Sequence, residues 1–492
     1  MRISGSTSLS TSLSSYDVVV IGAGSAGENV AGRSVKGGLS ALIVESDLLG
    51  GDCSYWACMP SKALLRPGQA VAAARRVDGA RQAISGRLDV AKVLDRRDRF
   101  CEGWHDSEHV EWLQDAHVDL LRGHGRLAGV RRVEVETPDG TVAVSARHAV
   151  VIATGSEPAL PPVPGLDTVA PWTTNQATTA KQAPGHLVVL GGGVAGCELS
   201  QAWASLGSKV TVIENVDRLL ATFDPIAGEL VAESMRESGI DVRLGVNVTG
   251  AERHLGGTVV VHLEDGSEVV GDELLVAAGR RPRTTDLGLD TVGLEAGGWL
   301  SVDDTMAVVG VPGVPGVPGV PDSWLYAAGD VNHRVLLTHQ GKYQARICGD
   351  AIVARAGGQL DAAPWGRHSA TADHSAVPQV VFTDPEVASV GLSAAEAKDA
   401  GMATRVVDFA LGDVAGASLY ADDYRGHARL VVDDDRRVVV GVTFVGPAAG
   451  ELLHAATIAI VGEVPLDRLW HAVPAYPTIS EVWLSLLESY GL

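Results

Sequence analysis

At 492 residues the chain is long enough for two or three domains with well-buried cores, and 46% hydrophobic with 20% charged residues is globular composition, not that of a disordered polymer. A formal net charge of -21 excludes nucleic acid and anionic membrane surfaces as partners, because both would repel it. Five scattered cysteines are no secreted disulfide framework, no apolar run can cross a bilayer, and the Ser/Thr-rich residues 1–15 lack a signal peptide's apolar centre. A cytoplasmic protein with a disordered N-terminal extension at 1–15 is therefore expected.

The first ordered element is a β-branched strand at 17–21, running into Gly22-Ala23-Gly24-Ser25-Ala26-Gly27 and a helix to about residue 36. A second strand at 41–44 ends at Glu45. Strand, glycine turn, helix, strand and acid is the context in which Gly22, Gly24 and Gly27 bind a dinucleotide: the glycines let backbone approach a pyrophosphate, the helix N-terminus receives its charge, and the acid accepts ribose hydroxyls.

Next comes Gly50-Gly51-Asp52-Cys53-Ser54-Tyr55-Trp56-Ala57-Cys58-Met59-Pro60-Ser61-Lys62. On a regular helix the rise between Cys53 and Cys58 alone is ~7.5 Å. A disulfide wants Cα atoms within roughly 7 Å. A bridge here thus requires a distorted helical turn, and a strained, accessible bridge is one that exchanges electrons. The helix that follows points its N-terminus at the pair, which favours thiolate. Two unrelated thiols are the plain alternative. Cys101, Cys197 and Cys348 read as small buried hydrophobes.

A helical stretch to about residue 99 follows, then a helical run around 111–114 and a hairpin whose strands at 131–136 and 141–144 flank Pro138-Asp139-Gly140. The apolar run 149–152 enters Ala153-Thr154-Gly155. Beyond the stiff connector Pro161-Pro162-Val163-Pro164-Gly165 the opening architecture repeats: strand 187–190, the turn of Gly191, Gly193 and Gly196, a helix to 206, strand 209–213 and Glu214. The acid follows the first glycine at the same spacing in both copies. Two such units imply two dinucleotides. Glu214 welcomes the 2′-hydroxyl of NADH and repels the 2′-phosphate of NADPH; Arg218 argues the other way, and NADH is favoured. Past Val276-Ala277-Ala278-Gly279-Arg280-Arg281-Pro282 lie a Val-Pro-Gly run at 310–321, which suggests a surface-loop expansion, then Leu325-Tyr326-Ala327-Ala328-Gly329-Asp330 and a helix from Thr338. From about 376, strands at 380–382, 428–432 and 437–445 with amphipathic runs at 449–461 and 479–487 suggest an α+β unit.

These motifs, in this order, resemble the class I pyridine nucleotide–disulfide oxidoreductases, which include glutathione reductase, dihydrolipoamide dehydrogenase and mercuric reductase. Their redox segment reads G-G-T-C-x-N-x-G-C-x-P-[ST]-K. Cys53, Cys58, Pro60 and Lys62 match, while Asp52, Tyr55 and Ala57 depart, as does Arg283 where the later turn has Asn. The resemblance implies an α/β fold: an FAD domain at 16–163 and 286–370, an NAD(P) domain at 164–285, both Rossmann-like, and an α+β dimerisation domain at 376–492. It places FAD on Gly22, Gly24, Gly27, Glu45, Gly51, Lys62, Thr154, Gly155, Asp330 and Thr338. The nicotinamide nucleotide falls to Gly191, Gly193, Gly196, Glu214 and Gly279. It pairs Lys62 with Glu198 beside the flavin, sets Cys58 nearest the ring, and makes Cys53 the thiol that meets the acceptor. A homodimer is implied, each active site completed by the other subunit's tail.

That tail departs as well. Thiol-substrate members carry H-P-T-x-S-E, whereas this chain has Tyr476-Pro477-Thr478-Ile479-Ser480-Glu481, keeping Glu481 but exchanging the base for a phenol. A phenol donates a hydrogen bond at neutral pH but is no base, and His471 reads as structural. Mercuric reductases carry Tyr near that place but also a C-terminal cysteine pair, absent here. The expected function is electron transfer from NADH or NADPH through FAD and Cys53–Cys58 to a disulfide or another thiol-reactive small molecule. The alternatives are a quinone-reducing diaphorase that bypasses the cysteines and mercuric reductase-like metal reduction.

Overall fold

The computed structural model of the chain describes residues 14–311 and 323–492. Most of the expected extension at 1–15 and of the Val-Pro-Gly run lies outside the described residues. The chain forms two compact units: one takes the segments up to Cys53, His105–Glu157 and Arg281–Asp373, the other Ser54–Trp104, Pro158–Arg280 and His374–Leu492.

The first unit is built on a seven-stranded sheet. Asp119–Arg122, Ala41–Glu45, Ser14–Ile21 and Gly140–Ile152 lie side by side in parallel, with Leu325–Ala327 also parallel to the last. Val18, Val19, Val20, Ile43, Val150 and Val151 are wholly buried, as a parallel strand covered on both faces requires. Helices Ser25–Lys36 and Thr338–Gly357 pack together on this sheet. Gly349 makes that possible, since a Cβ there would sit 2.6 Å from Arg33 Cβ, and Arg33 forks onto Asp350.

Residues 141–144 and 149–152, expected as two strands, are one strand, Gly140–Ile152. Its first half pairs antiparallel with Arg132–Thr137 and its length runs beside Ser14–Ile21, where a register shift between Tyr16 and Val18 absorbs the irregularity. The polar middle does not end the strand because it is anchored: Arg147 Nε lies 2.6 Å from Asp17 Oδ1.

The second unit holds a parallel sheet in the order Asp241–Arg243, Lys209–Ile213, His186–Leu190, Glu273–Val276, flanked by helix Val194–Ser205. Antiparallel strands Val248–Arg253, Val259–Leu263 and Glu268–Gly271 form a separate sheet, inserted in the chain between Asp241–Arg243 and Glu273–Val276. The helical stretch to 99 is two helices, Cys58–Arg75 and Val90–Phe100. The first meets Val194–Ser205 at Gly68, where a Cβ would come within 2.7 Å of Ser205 Cβ. The C-terminal part is a five-stranded antiparallel sheet, ordered Gln379–Val381, Glu386–Gly391, Val438–Gly446, His427–Asp433, Thr404–Ala410. Strands 386–391 and 404–410 were not anticipated. The first is built of small residues, and the second is an edge carrying Arg405 and Asp408, so neither shows a strong apolar pattern.

Candidate active site

The two glycine turns are near copies. In the first, a Cβ on Gly22 would meet Ala153 O at 2.5 Å and one on Gly27 would meet Gly22 O at 1.9 Å. In the second, Gly191 faces Ala277 O at 2.5 Å and Gly196 faces Gly191 O at 1.9 Å. These four are glycine because helix, turn and strand touch there. Gly24 and Gly193, the N-cap residues of helices Ser25–Lys36 and Val194–Ser205, differ: a Cβ on either meets nothing within 4 Å. Each thus leaves open space at a helix N-terminus, where backbone N–H groups and the helix dipole favour an anion. Each acid closes its turn in the same way. Glu45 Oε2 accepts from Ala23 N at 2.6 Å, and Glu214 Oε2 from Gly192 N at 2.5 Å. The other oxygens accept from Asp47 N and Val216 N.

The cysteine segment starts against the first turn. Gly50 N donates to Ala23 O at 2.8 Å, and a Cβ on Gly51 would lie 2.9 Å from Gly24 Cα. Both residues have left-handed φ, 99° and 63°, so glycine is required twice over. Cys53 sits in the short helix Gly51–Tyr55, and Cys58 is the first residue of helix Cys58–Arg75. Between them the helix is broken at Trp56 and Ala57, with Ala57 at φ -135°, ψ -94°. Both cysteines are half-exposed, whereas Cys101, Cys197 and Cys348 are buried. Burial pushes the Cys101 thiol up to about 12 and those of Cys197 and Cys348 higher still, so none is a nucleophile at neutral pH.

One turn beyond Cys58, Lys62 Nζ lies 2.7 Å from Glu198 Oε2 and 5.1 Å from the centre of the Phe382 ring. Glu198 is buried, and its Oε1 accepts from Phe382 N at 2.9 Å. The carboxylate is thus satisfied at both oxygens, as a buried charge must be. Sequence reading missed the Phe382 N–H, a partner 184 residues away that no local pattern announces.

Comparison with known proteins places this geometry. Residues 16–345 match the pyridine nucleotide-disulphide oxidoreductase model, and residues 377–486 match the dimerisation domain of the same family. The chain belongs to this family. It is 33% identical to a dihydrolipoyl dehydrogenase 3 of Pseudomonas aeruginosa over 480 residues, covering 95% of this chain and 96% of the relative. With a mercuric reductase of Staphylococcus aureus it shares 28% identity over 470 residues, 95% of this chain and 81% of the other. Among solved structures, the HOCl-induced flavoprotein disulfide reductase RclA of Escherichia coli, crystallised as a Cu(II) complex, overlays with a TM-score of 0.81 at 24% identity, covering 97% of this chain and 99% of that one. That last likeness speaks for the fold alone.

As a member of the pyridine nucleotide-disulphide oxidoreductases, the chain is a flavoprotein oxidoreductase of a family whose cofactors are FAD and NAD(P), and its dimerisation domain implies a homodimer. Among the described residues no helix is long and apolar enough to cross a membrane. Asp330 accepts from Ser156 Oγ at 2.6 Å, just beyond Gly329 at φ 82°. Gly155 has φ 69°; its carbonyl accepts from Arg283 N, while Thr154 Oγ1 donates to Arg283 O at 3.0 Å. Thr338 opens the helix Thr338–Gly357, and Gly279, at φ 138°, accepts at its carbonyl from Ala159 N. Arg218 points back into its own loop, Nη2 donating to Ala221 O at 2.8 Å. In the tail Tyr476 is 77% exposed, and Glu481 Oε2 is buried without a hydrogen-bond partner among the described residues.

Proposed function

We propose that this chain is an NADH-dependent flavoprotein reductase in which Cys53 and Cys58 form the redox-active disulfide and pass electrons to a disulfide or thiol-reactive small molecule. The observation that carries this reading is the helix break between two half-exposed cysteines, in a segment whose first residues are bonded to a dinucleotide-binding turn. In it the turn of Gly22, Gly24, Gly27 and Glu45 holds FAD, with Gly51, Thr154, Gly155, Asp330 and Thr338. The turn of Gly191, Gly193, Gly196 and Glu214, with Gly279, holds the nicotinamide nucleotide. The FAD domain is 16–163 and 286–370, the NAD domain 164–285 and the dimerisation domain 376–492. Glu214, with Arg218 turned away into its loop, favours NADH over NADPH.

When bound, the flavin supplies hydride acceptance from the nicotinamide and relay of two electrons to the disulfide. The residues do the rest. Lys62, one turn beyond Cys58 and held by Glu198, is a fixed positive charge that would act on the flavin when bound. Cys58, at its helix N-terminus, is favoured as thiolate. Cys53 thiolate attacks one sulfur of the acceptor disulfide and expels a thiolate that takes a proton. Cys58 then displaces Cys53's mixed-disulfide partner, re-forming the bridge and releasing a second thiol. In the homodimer Tyr476 of one subunit donates a hydrogen bond at the other's site, with Glu481 of the same tail close to it in sequence. Cysteine use of this kind fits the reducing cytoplasm.

The test is anaerobic NADH titration of the purified holoprotein. Wild type takes up two reducing equivalents more than the flavin alone and develops a long-wavelength thiolate–flavin band. C58S loses the band, and C53S keeps it while losing acceptor turnover by about 10²-fold or more. Acceptor reduction that survives intact in C53S/C58S would make the thiols bystanders and leave a diaphorase.

A further inference from the structure

Trp56 lies inside the helix break, between the two cysteines, and its ring stacks on Trp104, centroids 5.3 Å apart and planes inclined by 18°. Trp104 itself is held in place at a conformational cost. Glu102, Gly103 and Trp104 have φ of 52°, 63° and 67°, three successive left-handed residues of which only one is glycine. Such a run persists only where its surroundings impose it. Here they do. Arg97, wholly buried, donates through Nη1 to Thr178 O (2.8 Å) and Ala180 O (2.9 Å) and through Nε to Asp98 (2.8 Å). Its guanidinium lies 5.9 Å from the Trp104 ring centre, and Lys181 Nζ, paired with Asp98, lies 5.7 Å from it. Both cations stand within the range of attraction to an indole face. Thr178 Oγ1 also approaches the Trp56 carbonyl at 3.3 Å, a longer contact than its 2.8 Å bond to Thr174 O.

We propose that Trp104, braced by Arg97 and Lys181, is a positioning residue for the Cys53/Cys58 couple: by clamping Trp56 it keeps the inter-cysteine segment bent and so favours the disulfide over the dithiol. This rests on the reading of the two cysteines as a redox pair. The physical reason is that closure needs the break at 56–57, because a regular helical turn would hold the sulfurs too far apart. The dithiol has no such need. A clamp on the bent form therefore stabilises the bridged state selectively, and its loss releases the segment when the pair is reduced.

The experiment equilibrates holoprotein with mixtures of reduced and oxidised dithiothreitol. Two electrons and two protons pass from dithiothreitol to the Cys53–Cys58 bridge, giving two thiols and the cyclic disulfide. Native mass-tag alkylation counts the thiols formed, because Cys101, Cys197 and Cys348 are buried and unreactive. W104A is expected to shift the equilibrium about tenfold towards the dithiol, a potential ~30 mV less negative for a two-electron couple. W56A should do the same from the other side of the stack, W104F should stay within about threefold of wild type, and K181A should move about twofold in the same direction. FAD content and melting temperature identify any variant that fails to fold, in which case the remaining variants decide. Folded W104A and W56A with wild-type midpoints would overturn the clamp. Wild type whose Cys53 and Cys58 label equally under oxidising and reducing conditions would instead overturn the redox reading beneath it.

Discussion

Asp52 and Arg283 are two residues that depart from the family's pattern, and in the structure they meet. Arg283 Nη2 lies 3.3 Å from Asp52 Oδ1, while its backbone brackets Thr154 and Gly155. A partly exposed ion pair of this kind contributes at most about 1 kcal/mol to stability. Its consequence lies in the charge beside Cys53: Asp52 is the preceding residue, and in the proposed mechanism its carboxylate opposes the negative charge that builds there during thiol interchange. Arg283 offsets that. R283N is therefore expected to slow re-oxidation of the reduced enzyme by an aromatic disulfide about fivefold at low salt, the effect of roughly 1 kcal/mol of unscreened repulsion. D52T/R283N, which removes both charges, should recover most of the loss. Stopped-flow traces checking this would sink the idea if R283N matched wild type, or if the double variant were as slow as R283N.

The elements proposed to bind the nucleotides follow rules that are local, and such elements are the ones a sequence displays. Glycine spacing, helix start and terminal acid all lie within one strand–helix–strand unit, so both dinucleotide turns are legible residue by residue. Gly27 and Gly196 allow a direct test of which turn serves which nucleotide, since a Cβ on either would stand 1.9 Å from a carbonyl oxygen of its own turn. G27A should be purified without flavin and colourless. G196A should stay yellow yet resist anaerobic reduction by NADH while dithionite still bleaches it. A colourless G196A beside a yellow G27A would reverse the assignment. The helix break between Cys53 and Cys58 was likewise foreseeable, because helical rise alone forbids the bridge otherwise. Hidden from the sequence were links between distant segments: the Phe382 N–H on Glu198, the Trp104 ring on Trp56, and Asp17 anchoring the polar middle of Gly140–Ile152. Edge strand Thr404–Ala410 was hidden for another reason, since its charges mimic a loop until a neighbour supplies the pairing.

At the scale of the whole molecule, the C-terminal region leaves apolar surface uncovered. Within the residues matching the dimerisation domain, Leu419 is 72% exposed, Ile458 57% and Val473 85%. Large exposed apolar side chains are candidates for a protein contact, and a second copy is the partner this domain implies. Introducing charge there should separate the copies without touching either glycine turn. I458E/V473E is expected to run as a monomer by light scattering, to retain FAD, and to reduce that FAD with NADH at close to the wild-type rate. Acceptor turnover should fall at least tenfold if, as proposed, Tyr476 and Glu481 act at another subunit's cysteines. A monomer that turns over its acceptor as fast as wild type would show each chain completing its own site. A variant that stayed dimeric would move the interface to a different face of the domain, with the tail's contribution then tested by Y476A alone.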